Sequence, residues 1–147
     1  MKQKTKQNNI ITVFPKELIS IVKGTPLELA LNKSIDIETR LEFLLPFLGV
    51  PSNLKGYSYL KFAILIVSED ESKINKVTST LYPQIAENFH TTPSRVERAI
   101  RHALDICFNR IEPTLAKWFF GYSIDPFKGK CTNTEFISRI ARLLTKV

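Results

Sequence analysis

The sequence predicts an all-α domain of about six helices built around a helix-turn-helix. Three observations carry that expectation. Apolar residues recur at helical spacing through most of the chain after Lys33. Residues 84–102 set a short amphipathic stretch, a three-residue turn and a long amphipathic stretch in series. Thr132-Asn133-Thr134-Glu135 is a capping box that opens a last helix running to the C-terminus.

Residues 1–33 read as an N-terminal extension and residues 34–147 as the helical domain. Lys2, Lys4 and Lys6 stand among polar neighbours, and no apolar stretch of signal-peptide length follows, so they read as a solvated basic tail. Ile10–Phe14 has strand-like composition. Pro15–Lys23 reads as a short helix with proline at its first position and Gly24 past its end. Asp36 can cap a helix whose Leu41, Leu44, Leu45 and Leu48 share a face, closing at Gly49 and Pro51. Pro46 lies inside that pattern and lacks the N–H for one helical bond, so a kink or early stop is expected there.

Gly56 precedes a second helix, roughly Tyr57 to Val67, that is apolar almost all round and therefore central. Glu69, Asp70 and Glu71 make a solvated loop. A helix near Ser72–Leu81 follows, then a break at Tyr82–Pro83. The helix-turn-helix comprises Gln84–Phe89 and Pro93 to about Arg110. Another helix runs from Pro113 to Phe120 and closes at Gly121, before the capped last helix.

Composition bounds the function classes. A hydrophobic fraction of 44%, with ten Phe and one Trp, suits a packed core. A net charge of +7 points to an anionic partner. Nucleic acid is the commonest for such a domain, with an anionic membrane surface or no special partner as the alternatives. The longest apolar run, Phe62 to Val67, is far short of the ~20 residues that span a bilayer, so no membrane partner is expected. Cys107 and Cys131, with His90 and His102, lack the paired spacing of a metal site. They read as reduced thiols of a cytoplasmic protein, with Cys107 in the core. No nucleophile, metal or phosphate-loop signature is legible, so neither an enzyme nor a cofactor is expected.

The informative segment is the helix-turn-helix. Ala86 supplies the small residue where its two helices cross, and Ile85 and Phe89 give the first helix a buried side. The turn is His90-Thr91-Thr92, with Thr92 as N-cap and Pro93 at the first position of the second helix. Glycine is common where His90 stands. Val96, Ala99, Ile100, Ala103 and Cys107 form one apolar stripe, and Ser94, Arg95, Glu97, Arg98, Arg101 and His102 lie opposite. In a recognition helix that charged side would enter the major groove, where Arg bonds guanine O6 and N7 and Glu accepts from cytosine N4. Pattern alone leaves a second reading open. The same charges suit a solvated face laced with Glu97–Arg101 and Arg101–Asp105 pairs.

Thr91 through Ala103, reading TTPSRVERAIRHA, closely resembles the recognition-helix signature of the stage-zero sporulation response regulators of endospore-forming Firmicutes. Gly49-Val50-Pro51, Lys55-Gly56-Tyr57, Tyr59-Leu60, Leu81-Tyr82-Pro83, Phe120-Gly121-Tyr122 and Thr132 through Ile137 resemble the rest of their effector domain, over about residues 34 to 147. The resemblance implies a six-helix effector domain that binds double-stranded DNA at short promoter boxes, often as a homodimer on tandem head-to-tail sites. By the match, Arg95, Glu97 and Arg98 would face bases. Ser94, Arg101 and His102 would be the next candidates for backbone or groove contact.

Two departures bear on regulation. Family members carry an N-terminal phosphoacceptor receiver, whereas about 33 residues precede the matching region here, too few to hold its sheet. Control by protein level, by a partner, or constitutive activity is the expectation. In the family, the segment corresponding to residues 110–119 contacts a polymerase sigma factor. Pro113 and Trp118 change it, which puts that contact in question and leaves repression by occlusion intact. Trp118 and Phe119 are expected to serve the core. The alternative function is a receiver-free interaction module that pairs with a full-length relative and modulates it.

Overall fold

A computed structural model of the chain describes residues 16–146. The basic tail and the strand-like Ile10–Phe14 lie outside the described residues. Eight α-helices account for most of what is described, and an isolated bridge between Asp125 and Lys130 is the one β-type pairing among those residues. The helices are α1 (Lys16–Val22), α2 (Pro26–Ala30), α3 (Ile37–Leu48), α4 (Lys55–Glu69), α5 (Tyr82–Asn88), α6 (Pro93–Arg110), α7 (Pro113–Phe120) and α8 (Asn133–Lys146). Six of them, α3 to α8, fall in the region that the sequence assigned to the helical domain. No helix among the described residues is long and apolar enough to cross a membrane.

The ends of α3 show how local chemistry sets these bounds. Asp36 has an extended backbone and its carboxylate accepts from the Thr39 N–H at 3.0 Å, so one orphan donor of the first turn is satisfied. That bond also holds the Asp36 pKa below the usual carboxylate range. At the other end Gly49 turns left-handed at φ 119°. The Val50 N–H donates to the Leu45 carbonyl and the Gly49 N–H to the Pro46 carbonyl, a Schellman closure. Pro46 does not stop the helix early, as its sequence position suggested. It falls in the last turn, where only one helical bond is lost before Gly49 ends the helix.

Between α4 and α5 the expected helix over Ser72–Leu81 is replaced by tighter and wider turns. A 3-10 stretch covers Glu71–Lys76, and a single π turn covers Val77–Leu81. The Asp70 carboxylate captures the Ser72 N–H, and Lys76 leaves helical geometry at φ −130° and ψ 44°. In the π turn only Val77 and Leu81 are buried, so a run of polar and β-branched residues has little apolar gain to hold it in a regular helix. The break expected at Tyr82–Pro83 is absent. Tyr82 donates back to the Val77 carbonyl and begins α5 directly. Pro83 sits in the first turn of α5, where its missing N–H would have been unpaired in any case.

One hydrophobic core runs through all eight helices, with α4 central between α6 and α8. Leu44, Leu48, Leu60, Ile64, Ile85, Ile100, Phe120 and Phe136 are fully buried. Phe120 stacks on Phe136 with centroids 5.0 Å apart, and Phe108 meets Phe120 edge-on at 5.3 Å. Phe119 is buried and half-buried Trp118 lies edge-on to it, so both serve the core as expected. Leu18 and Val22 of α1 and Leu27 and Ala30 of α2 are buried in the same core. Arg40 ties α2 to α3. It is 4% exposed, and its Nε donates to the Ala30 carbonyl at 2.7 Å.

Candidate nucleic-acid interface

A recognition helix must be held rigidly from behind while one face stays free. The holding begins in the turn. Thr92 has an extended backbone and its hydroxyl accepts from the Arg95 N–H, and Pro93 follows at the first helical position. Before it, α5 closes as α3 does, with the Thr91 N–H donating to the Ala86 carbonyl at 2.9 Å and the His90 N–H to Glu87. His90 takes the left-handed position at φ 55° and is, among the described residues, the sole non-glycine there. Ala86 is 3% exposed, as a close crossing demands.

Behind α6, Val96, Ile100, Ala103, Leu104 and Cys107 are buried, and Ala99 is half-buried. Gly56 meets this side. It lies within the first turn of α4 rather than ahead of the helix as the sequence suggested. A Cβ there would stand 2.3 Å from the Ala99 carbonyl oxygen and 2.8 Å from the Ala103 Cβ. Only hydrogen fits between the two helices. At the other edge, the Asn133 amide donates to the Tyr82 hydroxyl at 3.0 Å and to the Glu97 carbonyl at 3.2 Å. The N-terminus of α8 thereby pins α5 and α6 together. Asn133 itself lies within a complete capping box, in which Thr132 Oγ1 accepts from the Glu135 N–H and Glu135 accepts from the Thr132 N–H. Asn133 was legible as part of a cap but not as a clamp, because its partners are 51 and 36 residues away.

The free face carries the sequence-nominated residues. Ser94, Arg95, Arg98, Arg101 and His102 are exposed, and Glu97 is half-buried. Ser94, Arg98 and Arg101 follow one another at four- and three-residue steps and so stack along one line of the helix. Arg95 and His102, seven apart, make a second line on one flank. Glu97 lies on the other flank, where its carboxylate meets the Arg101 guanidinium at 3.4 Å. Of the two ion pairs read from spacing, Glu97–Arg101 forms, whereas Asp105 pairs with Lys130 of the 121–131 loop. The intrahelical pairing therefore occupies Arg101, and among the described residues Arg95 and Arg98 have no carboxylate partner.

The two flanks differ in charge. Along the Glu97 flank a groove of about 910 Å³ is lined by Glu97, Asp105, Asp125 and Glu135 as well as Arg101, Lys128 and Lys130. Along the other flank a groove of about 480 Å³ is lined by Lys55, Arg95, Arg98 and His102, with no carboxylate. Lys55 was not among the nominated residues. Its signal was Gly56 beside it, a residue that permits the N-terminus of α4 to touch α6.

The two thiols take no part in this face. Cys107 and Cys131 are buried and unbonded to each other, and burial pushes both thiols up to about 12.

Residues 41–144 match the family described as "Sporulation initiation factor Spo0A C terminal". The chain belongs to this family. The match spans well over half of the sequence and takes in α4 to α7 whole, with most of α3 and α8. Its members are helical DNA-binding effector domains, so the exposed face of α6 belongs to a DNA-binding domain associated with sporulation and transcription regulation. Helices α1 and α2 precede the matched residues and nevertheless bury their apolar residues in the common core.

Proposed function

We propose that the chain reads promoter DNA sequence-specifically, with the N-terminal turns of α6 seated in the major groove. The observation that carries this reading is the line of exposed Ser94, Arg98 and Arg101, flanked by Arg95 and His102, on a helix buried along its whole opposite side. Among the described residues Arg98 and Arg95 hold no carboxylate, which leaves both able to form bidentate bonds to guanine O6 and N7. Glu97 accepts from cytosine N4 or orients Arg101 through their contact. Ser94 and His102 serve backbone or groove contacts. Head-to-tail pairing of two copies on tandem boxes belongs to the same reading, as does action in the cytoplasm. Segment 110–119 spends Ile111, Leu115, Ala116 and Phe119 on the core. Only Arg110, Glu112, Pro113, Thr114 and Lys117 are then exposed to a polymerase sigma factor, whereas occlusion of a promoter requires DNA reading alone.

Arg98→Ala tests the assignment. It should relax base preference at one position of the site at a cost of about 1–3 kcal/mol, read by competition among single-base variants of the duplex. An unchanged preference, together with DNA-independent capture of a full-length relative, would transfer the function to the pairing-module alternative.

A further inference from the structure

The cationic flank of α6 joins a second hollow of about 300 Å³, lined by Lys55, Ser58, Tyr59, Phe89, His90, Thr91 and Arg95. The two share Lys55, Tyr59, Thr91 and Arg95, so they form one continuous trough from the helix-turn-helix turn to the second turn of α6. Its floor is Tyr59, buried and edge-on to Phe89 at 5.1 Å. Its rim is Lys55, Arg95 and Arg98, all exposed, and no carboxylate lines either part. None of these three cations makes an ion pair among the described residues.

Three cations held beside one trough without a counter-charge repel one another, and an anion in the trough relieves that repulsion. Elsewhere three cations stand against carboxylates. Lys61 bridges Glu38 and Glu42, Arg101 meets Glu97, and Lys130 meets Asp105. In the trough no such carboxylate stands beside the cations, and the backbone sets their arrangement. Gly56 brings α4 against Ala99, which fixes Lys55 beside the helix turn that carries Arg95 and Arg98.

We infer that this trough is the seat of a DNA backbone phosphate and that Lys55, with the Thr91 hydroxyl, anchors it. The inference rests on the DNA-reading proposal above and deepens it. The anchor comes from α4, a different helix from the one that reads bases, so it fixes the depth and register of α6 without reading sequence. The opposite flank, where four carboxylates offset Arg101, Lys128 and Lys130, is the poorer seat for a phosphate.

The test uses the full chain and fluorescence anisotropy on a specific and a scrambled duplex across a salt series, comparing the wild type with Lys55→Gln and Lys55→Arg. Lys55→Gln should weaken binding to both duplexes by the same factor, about five- to tenfold. It should also lower the slope of log affinity against log salt by about 1. Lys55→Arg should restore most of both, and circular dichroism melting should show both variants folded, since Lys55 is exposed. An unchanged slope, or a loss confined to one sequence, would overturn the anchor. Inorganic phosphate at matched ionic strength should compete no better than chloride. Stronger competition that vanishes in Lys55→Gln would make the trough a free-anion site and overturn the backbone assignment. The slope is read on scrambled DNA too, so the anchor stands or falls separately from sequence preference.

Discussion

His90 holds the left-handed position of the helix-turn-helix turn at φ 55°, where a Cβ crowds the following carbonyl. Gly49 fills the equivalent closing position of α3 without that cost. The strain at His90 is retained beside the trough that its own side chain helps to line. His90→Gly should therefore stabilise the fold by about 0.5–1 kcal/mol, the relief of the backbone less the added freedom of the unfolded chain. Urea denaturation measures it directly, and a lower midpoint would mean that the side chain contributes more than its backbone costs. Arg40 has a different cost, that of a buried guanidinium. Its Nε is satisfied by Ala30, while its Nη2 is buried without a hydrogen-bond partner among the described residues, so the guanidinium holds α2 against α3 at a desolvation cost.

Helices α4, α5 and α6 work as one unit, because Gly56, Ala86 and Asn133 remove the slack between them. Gly56→Ala should cost about 1–3 kcal/mol, since the added methyl meets a backbone carbonyl at 2.3 Å and not the flexible end of a side chain. Thermal melting would show the loss, and a variant as stable as the wild type would mean that the α4–α6 crossing is looser than described. The same elements show what local sequence could and could not reveal. The bounds of α6 and α7 were legible because Thr92-Pro93 and Pro113 announce their starts and the amphipathic period is unbroken. The cap at Asp36, the closure at Gly49 and the box at Thr132 are short-range chemistry and were legible for the same reason. The 3-10 and π turns before Tyr82 were not, because helix spacing persists there through Val77 and Leu81 while the hydrogen-bond step changes. Gly56 was placed ahead of its helix and not inside the first turn, since its reason is a contact 43 residues away in α6.

Across the whole molecule, charge is sorted around a single helix. A net +7 is an average, and what matters is that one flank of α6 mixes carboxylates with cations while the groove along the other has Lys55, Arg95 and Arg98 and no carboxylate. Of the nominated interface, the exposure of Ser94, Arg95, Arg98, Arg101 and His102 followed from periodicity alone, whereas Lys55 required knowing which helix lies beside them. The resemblance and the periodicity converge on α6 for independent reasons, one from matched residues and the other from an apolar stripe with a basic opposite side. The order of events on DNA then follows from the geometry. In the proposed reading the basic trough engages backbone phosphates on any sequence, and Arg95, Glu97 and Arg98 discriminate once α6 is seated.

The account is tested most directly by titrating the purified chain against the family's promoter box and a scrambled duplex of the same length at two salt concentrations. It predicts salt-dependent binding to both and a preference for the box of at least about 10³. Equal, weak and steeply salt-dependent binding to the two duplexes would contradict it, leaving α6 as a charged helix that holds DNA without reading it.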